Sequence, residues 1–221
     1  MNDMNLSIIQ KSVLNQDYAP FLQNLPPDTS IACFGELAVS GCLYYGGEGV
    51  KVGNVLENLK SVDPAVMIGL PRREESTLFN SYLYHEDGKY QIYDKINLFE
   101  PMNETKVYKP GEKLVLFDSK FGKLGAVICF DLRFPELFSK LKEMGADYIF
   151  VPAAWPRVRV ETWRELLVQR AIDNNVHVIG INSVGDDGTF EFGGSSMVVA
   201  PDGTVLAQAD ETSETVLEVQ I

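Results

Sequence analysis

Cys129 is the residue of this sequence best placed to act as a nucleophile. It ends the apolar run Gly125-Ala-Val-Ile-Cys129, and a helix signal starts a few residues later, with Pro135 near its first turn. A strand-to-helix corner exposes a side chain at a sheet edge. The nearby helix N-terminus favours a thiolate, and the next backbone N–H, that of Phe130, points at a developing oxyanion. Taken alone, the segment fits a buried strand cysteine more readily, because free cysteine is among the most buried residue types. A cysteine nucleophile without a nearby histidine needs another base and another cation. His85 stands at the mouth of the Asp87–Gly88 turn, and His177 lies within the strand-like VHVIGI, where packing accounts for it. Glu36, directly after the apolar run Ile31–Phe34, and Lys95, just past the segment Tyr90–Tyr93, are polar where polarity is unexpected. Either one alone reads as an ordinary solvated charge at a strand end.

Other chemistries find less support. Ser195 and Ser196 in GGSSM lack the G-x-S-x-G spacing of a nucleophile elbow. There is no G-x-x-x-x-G-K-[ST] phosphate loop and no His/Cys cluster at metal-ligand spacing, so neither a cofactor nor a metal is expected. Lys plus Arg is 19 against 31 Asp plus Glu, a formal charge of −12, which leaves no cationic surplus for nucleic acid. Cys33, Cys42 and Cys129 form no disulfide pattern and no C-x-x-C pair. Together with a first segment, MNDMNLSIIQ, that does not read as a signal peptide, and no run of about 20 apolar residues, this predicts a cytoplasmic protein without a membrane partner.

The elements that must position these residues alternate in type. Strands are expected at Leu6–Gln10, Ile31–Phe34 and Ala65–Leu70, the last ended by Pro71. Tyr18–Leu25 reads as a short helix stopped by Pro26–Pro27. Ser81–Tyr84 and Tyr90–Tyr93 flank a hairpin turn at Asp87–Gly88. Val115–Phe117 and Leu124–Phe130 form a second strand pair. Leu137, Leu141 and Met144 share one helical face, and Glu161–Asp173 reads as an amphipathic helix. Asp147–Val151, Val176–Ile181, Met197–Ala200 and Thr204–Ala207 complete the strands. With no linker or repeat, residues 1–221 read as one α/β domain.

Taken together, three segments resemble the motifs of the nitrilase, or carbon–nitrogen hydrolase, superfamily. FGELAVSGC is similar to its glutamate motif, YDKINLF to its lysine motif and ICFDLRFPEL to its cysteine motif, in the family's order. The likeness continues through VPAAWP, TWRELLVQRAIDNN and GGSSMVVAPDG. It implies a four-layer αββα sandwich, here with a shortened N-terminal part. It also implies Glu36 as general base, Lys95 as the cation at the tetrahedral intermediate, and Cys129 as nucleophile. Glu104 is similar to a second glutamate of the family's site, with Glu112 as a nearby rival. Seclusion is expected to raise the Glu36 pKa so that it can take the thiol proton. The implied activity is amide hydrolysis through a thioester, with LFEPMNE and VPAAWPRVR closest to the ω-amidase branch. A carbamoylase or a nitrilase would use the same triad. Reading Glu36 and Glu104 as a glycosidase pair leaves Lys95 and Cys129 without roles, and a binding protein that kept the fold would be marked by a missing triad member. Arg133 either clamps a substrate carboxylate or pairs with Asp131 or Glu136, and Trp155 is either a pocket wall or core. The family further implies a homodimer, with Phe138 and Trp163 as the apolar contacts.

Overall fold

The computed structural model describes residues 3–41 and 48–221; Cys42, and with it the end of the FGELAVSGC segment, lies outside the described residues. In the first half, β1 (Asn5–Gln10), α1 (Ala19–Gln23), β2 (Ile31–Phe34), α2 (Val52–Leu59) and β3 (Ala65–Glu74) lead into the meander β4 (Thr77–Glu86) and β5 (Lys89–Asp94). The short α3 (Glu104–Val107) then crosses to β6 (Leu116–Ser119), β7 (Gly122–Ala126), α4 (Pro135–Glu143), β8 (Tyr148–Pro152), α5 (Val160–Asn174) and β9 (His177–Ile181). A small ribbon, β10 (Val184–Asp186) with β11 (Glu191–Gly193), precedes β12 (Met197–Val199), β13 (Val205–Gln208) and β14 (Thr215–Gln220). One six-stranded sheet has the order β14-β1-β2-β3-β4-β5 and the other β13-β12-β9-β8-β7-β6. The centre of each is parallel, β1-β2-β3 and β7-β8-β9, and the margins are antiparallel.

The period-2 alternation of the strands sorts side chains into layers. Leu6, Ile8, Ile31, Cys33, Ala65 and Met67 face the second sheet and share one core with Leu124, Ala126, Ile149 and Val151. Their neighbours Ile9, Ala32, Phe34, Val66 and Ile68 face outward and are covered by Val55 and Leu59 of α2. On the far side, Leu141 of α4 and Trp163 and Leu167 of α5 pack on the second sheet, over Gly125 and Gly180. The result is the αββα sandwich, with thin helical cover on the first sheet: α1 and α2 are both short. Among the described residues no helix is long and apolar enough to cross a membrane.

Three expectations need correction. β3 runs through Pro71 to Glu74. Its pairing with β2 stops at Met67, and Asn80, opposite Pro71, gives its carbonyl to the Lys95 N–H, so the missing proline N–H removes no ladder bond. The strand toward Cys129 ends at Ala126 rather than Phe130, because the Ile128 N–H leaves the ladder for the Asp131 carboxylate at 3.0 Å. Phe138 and Trp163 are fully buried within the chain, where Trp163 donates its indole N–H to the Ser195 carbonyl at 2.9 Å. They belong to the helix–sheet core and cannot form an intersubunit contact.

Candidate active site

Four loops at one end of the two sheets bring the predicted residues together. Glu36 follows β2 on a segment lying directly across β3. A Cβ on Gly69 would fall 2.4 Å from the Gly35 carbonyl oxygen, so only glycine allows that approach. The Tyr82 hydroxyl donates to the Phe34 carbonyl at 2.9 Å and pins the strand end. Lys95 follows β5, fixed by its own N–H on the Asn80 carbonyl and by the Gly111 N–H on its carbonyl, both 2.8 Å. Glu104 opens α3. Cys129 opens a single 3-10 turn, Cys129–Arg133, between β7 and α4.

Lys95 is the hub. Its ammonium lies 2.9 Å from Glu36 Oε1 and 2.8 Å from Glu104 Oε2, and all three side chains are fully buried. Asn80 Nδ2 donates to both carboxylates, 2.7 Å each. The second oxygen of Glu36 accepts the Ala154 N–H at 3.0 Å, and that of Glu104 accepts the Phe99 N–H at 2.6 Å. The charges are thus paired and their lone pairs satisfied, the condition under which buried ions are tolerated. Glu112, the rival glutamate, sits outside on Lys109 at 3.5 Å.

The protonation states follow from this arrangement. Burial alone would raise the Glu36 pKa, but the charge and hydrogen bond of Lys95, with hydrogen bonds from Asn80 and the Cys129 thiol, outweigh it and hold Glu36 below the ordinary carboxylate value. That reverses the expectation that seclusion raises it. Burial would likewise lower Lys95, yet Glu36 and Glu104 hold it well above its usual value. Burial, then the charge of Glu36, push the Cys129 thiol well up, against the pull of Lys95. The resting site is therefore a neutral thiol, an ionised glutamate and an ammonium.

Cys129 has φ = +46°, in the left-handed region that residues other than glycine avoid. Its Sγ lies 4.0 Å from the Ala154 carbonyl. The first bond of its turn runs from the Asp131 N–H to the Ile128 carbonyl. The Phe130 N–H, one residue earlier, has no acceptor within the turn and is available beside the thiol.

Above Cys129 and Lys95 opens a cavity of about 200 Å³ walled by Phe99, Met102, Phe130, Trp155, Pro156 and Phe190. Trp155 is held by its N–H on Asn182 Oδ1 at 2.7 Å and its indole N–H on the Arg159 carbonyl at 2.8 Å. It is both a pocket wall and core, 3% exposed. Arg133 lies over its ring, 4.9 Å from the centroid. Among the described residues Arg133 makes no ion pair, with Asp131 and Glu136 included. Asp131 instead accepts from Tyr93, Asn97 and Ile128. Arg159 also lines the cavity. Burial, and then the like charge of Arg159, draw the Arg133 guanidinium below its usual pKa. His177 stacks on Tyr148, outside the site.

Asn80, Asp131 and Arg159 are the contributors that sequence reasoning missed. Asn80 left a weak signal, an inward polar residue in FNSYLYHE. Arg159 left none, since nothing local marks which helix-entry arginine turns to a pocket. Among the described residues no group of three or more His, Cys, Asp and Glu side chains is arranged to hold a metal.

The model of the carbon–nitrogen hydrolase family matches residues 21–221. A 2-oxoglutaramate amidase of Bacillus subtilis is 36% identical over 139 residues, 62% of this chain and 53% of that one. An ω-amidase of Escherichia coli K12 is 34% identical over 149 residues, 66% of this chain and 57% of that one. The match thus spans little more than half the length of these curated relatives. A solved structure from Xanthomonas campestris, described as a CN-hydrolase superfamily protein with an arsenic adduct in its active site, superposes with a TM-score of 0.88 at 27% identity, covering 100% of this chain and 91% of that one. Sequence motifs, sandwich and family match agree, and the chain belongs to the carbon–nitrogen hydrolase family.

Proposed function

We propose that this protein hydrolyses the terminal amide of a small, linear, carboxylate-bearing substrate and releases ammonia through a thioester on Cys129. The observation that carries this reading is the buried Lys95, held between Glu36 and Glu104 beside the Cys129 thiol at the floor of an apolar cavity.

The resting protonation pattern supplies the steps. As Cys129 Sγ adds to the amide carbon, its proton passes to Glu36, which is ionised and ready to accept it. The carbonyl electron pair moves onto oxygen, where Lys95 and the Phe130 N–H stabilise it; a donor of this class contributes roughly 3–4 kcal/mol. Collapse breaks the C–N bond, Glu36 returns the proton to the nitrogen, and ammonia leaves a thioester. Water then gives a proton to Glu36 as its oxygen adds to the thioester carbon. Expulsion of sulfur, with that proton, frees the acid and restores the thiol. Because burial and the charge of Glu36 disfavour the Cys129 thiolate, addition and proton transfer are coupled. Glu104 positions Lys95 and shares its charge.

Arg133 and Arg159 at the cavity, with no anionic partner for Arg133 among the described residues, support an anionic group on the substrate. The Bacillus relative's name points to the same class. N-carbamoyl amino acids and nitriles would meet the same triad. Ammonia release from a panel of 2-oxoglutaramate, succinamate, butyramide, an N-carbamoyl amino acid and a nitrile decides. Fastest turnover of a carboxylate-bearing amide, lost in Cys129→Ala, is the expected result; a nitrile turning over fastest, or activity retained in Cys129→Ala, refutes it.

The same reading includes one catalytic domain over residues 1–221, no required cofactor, a cytoplasmic setting that suits the unpaired Cys33 and Cys129, and a homodimer. Met144, just past α4, and Ile172, near the end of α5, are about half exposed and are the large apolar side chains proposed for that contact. A scattering mass of one chain, 24.6 kDa, at micromolar concentration refutes the dimer.

A further inference from the structure

The Asp131 carboxylate ties the Cys129 turn to the Lys95 segment. It is fully buried, and four donors close on it. Oδ2 accepts the Ile128 N–H at 3.0 Å and the Tyr93 hydroxyl at 2.8 Å. Oδ1 accepts the Asn97 N–H at 2.8 Å and Asn97 Nδ2 at 2.9 Å. A carboxylate has about four lone-pair sites, so none is left for substrate or solvent.

The positions of the donors matter more than their number. Ile128 directly precedes Cys129. Tyr93 and Asn97 flank Lys95, two residues to either side. β5, which leads to Lys95, belongs to the first sheet; β7, which leads to Cys129, belongs to the second. Among the described residues no ladder joins β5 to β7, so their relative placement depends on side chains. Asp131 is bonded to both limbs through residues beside Lys95 and Cys129 rather than through those two side chains, and its hold on Ile128 also fixes the backbone just before the left-handed Cys129.

We infer that Asp131 is a positioning residue: with Tyr93 and Asn97 it sets the placement of the Cys129 thiol against Lys95, and through it the reactivity of the nucleophile. This rests on the reading of Cys129 as nucleophile. It assigns Asp131 no contact with substrate, because its oxygens are all engaged.

The test compares Asp131→Asn and Tyr93→Phe with Leu59→Ala. Leu59 is a buried α2 residue on the outer face of the first sheet, and its truncation destabilises the fold without touching the site. Alkylation of Cys129 by iodoacetamide, followed by mass mapping of its peptide across pH, reads the reactivity of that thiol. It requires no known substrate. Tyr93→Phe removes one donor and keeps the ring, so it serves if Asp131→Asn does not fold. The expected result is a tenfold or greater fall in Cys129 alkylation and in kcat for both site variants, with KM little changed. Leu59→Ala should match wild type while folded, whatever its melting temperature. Wild-type alkylation rate in a folded Tyr93→Phe or Asp131→Asn variant overturns the inference. So does a fall in kcat without a fall in alkylation. If wild-type Cys129 alkylates but no amide of the panel is hydrolysed, the functional reading fails while the alkylation comparison still decides the role of Asp131.

Discussion

Replacing Arg133 with Gln tests whether its guanidinium binds a substrate carboxylate or supports the fold. In the free protein Arg133 stacks on Trp155, 4.9 Å from its centroid, and has the like charge of Arg159 nearby. A cation over an aromatic ring at a partly exposed site contributes about 0.5–1 kcal/mol. Relief of the repulsion offsets part of that. The stability loss should stay below about 1 kcal/mol, a shift of roughly 2–4 °C in melting temperature for a chain of this size. A substrate carboxylate bound by this guanidinium is a different matter. Hydrogen bonds to charged groups contribute about 1.5–3 kcal/mol, so kcat/KM for a carboxylate-bearing amide should fall about 10- to 150-fold. Butyramide, of similar length and uncharged, should change less than about twofold, since Gln occupies similar space and the reacting groups are untouched. The assay is ammonia release from both amides under subsaturating conditions, and the ratio of the two losses is the readout. Equal losses on both substrates, or a large melting shift as the main effect, would show that Arg133 supports the structure rather than the substrate.

Other perturbations probe the buried charges. Lys95→Met should abolish turnover and destabilise the fold by about 3–5 kcal/mol, because it leaves two carboxylates buried without their cation; urea unfolding measures this, and near-wild-type stability would contradict the pairing. The Glu36 pKa is lower in the folded chain than its ordinary 4.5, so its stabilising contribution is complete above that value and is lost as pH falls through the folded value. The acid limb of kcat/KM should accordingly lie below 4.5, and a limb near 6 would count against an ionised Glu36. Asn80→Ala removes a donor that lowers Glu36, so that limb should move upward while Cys129 still alkylates; an unmoved limb would mean Asn80 does not tune the base. Cys33, fully buried and with its thiol pushed far above the usual value by burial, should stay unlabelled by iodoacetamide in the native protein, and peptide mapping that finds it labelled would refute that.

Local patterns in the sequence go far toward the architecture. The apolar runs Ile31–Phe34 and Tyr148–Pro152 are strands because they are short and apolar, and Gly69 and Gly145 stand where backbone approach or a positive φ requires glycine. The order Glu36, Lys95, Cys129 points to the candidate reacting groups because each lies in a short contiguous motif of the chain. Pro71 misleads, since whether a proline breaks a strand depends on which side of the ladder lacks a partner, and that is set by where β2 stops. Phe138 and Trp163 mislead for a similar reason: a large apolar side chain on a helix has two candidate faces to cover, and only the packed sheet shows which one it takes.

The charges are what the tertiary structure alone decides. Glu36 is sequestered, as its place after a buried strand implies, but the direction of its titration depends on Lys95, Asn80 and Ala154, which come from other strands and loops. Burial and pairing oppose each other on a carboxylate, and only its neighbours in the fold say which prevails. Asp131 and Arg133, two residues apart, could have paired with each other. The fold turns one inward to hold the Cys129 and Lys95 segments together and leaves the other over Trp155 at the cavity, a division set by packing between the two sheets rather than by anything in their local sequence.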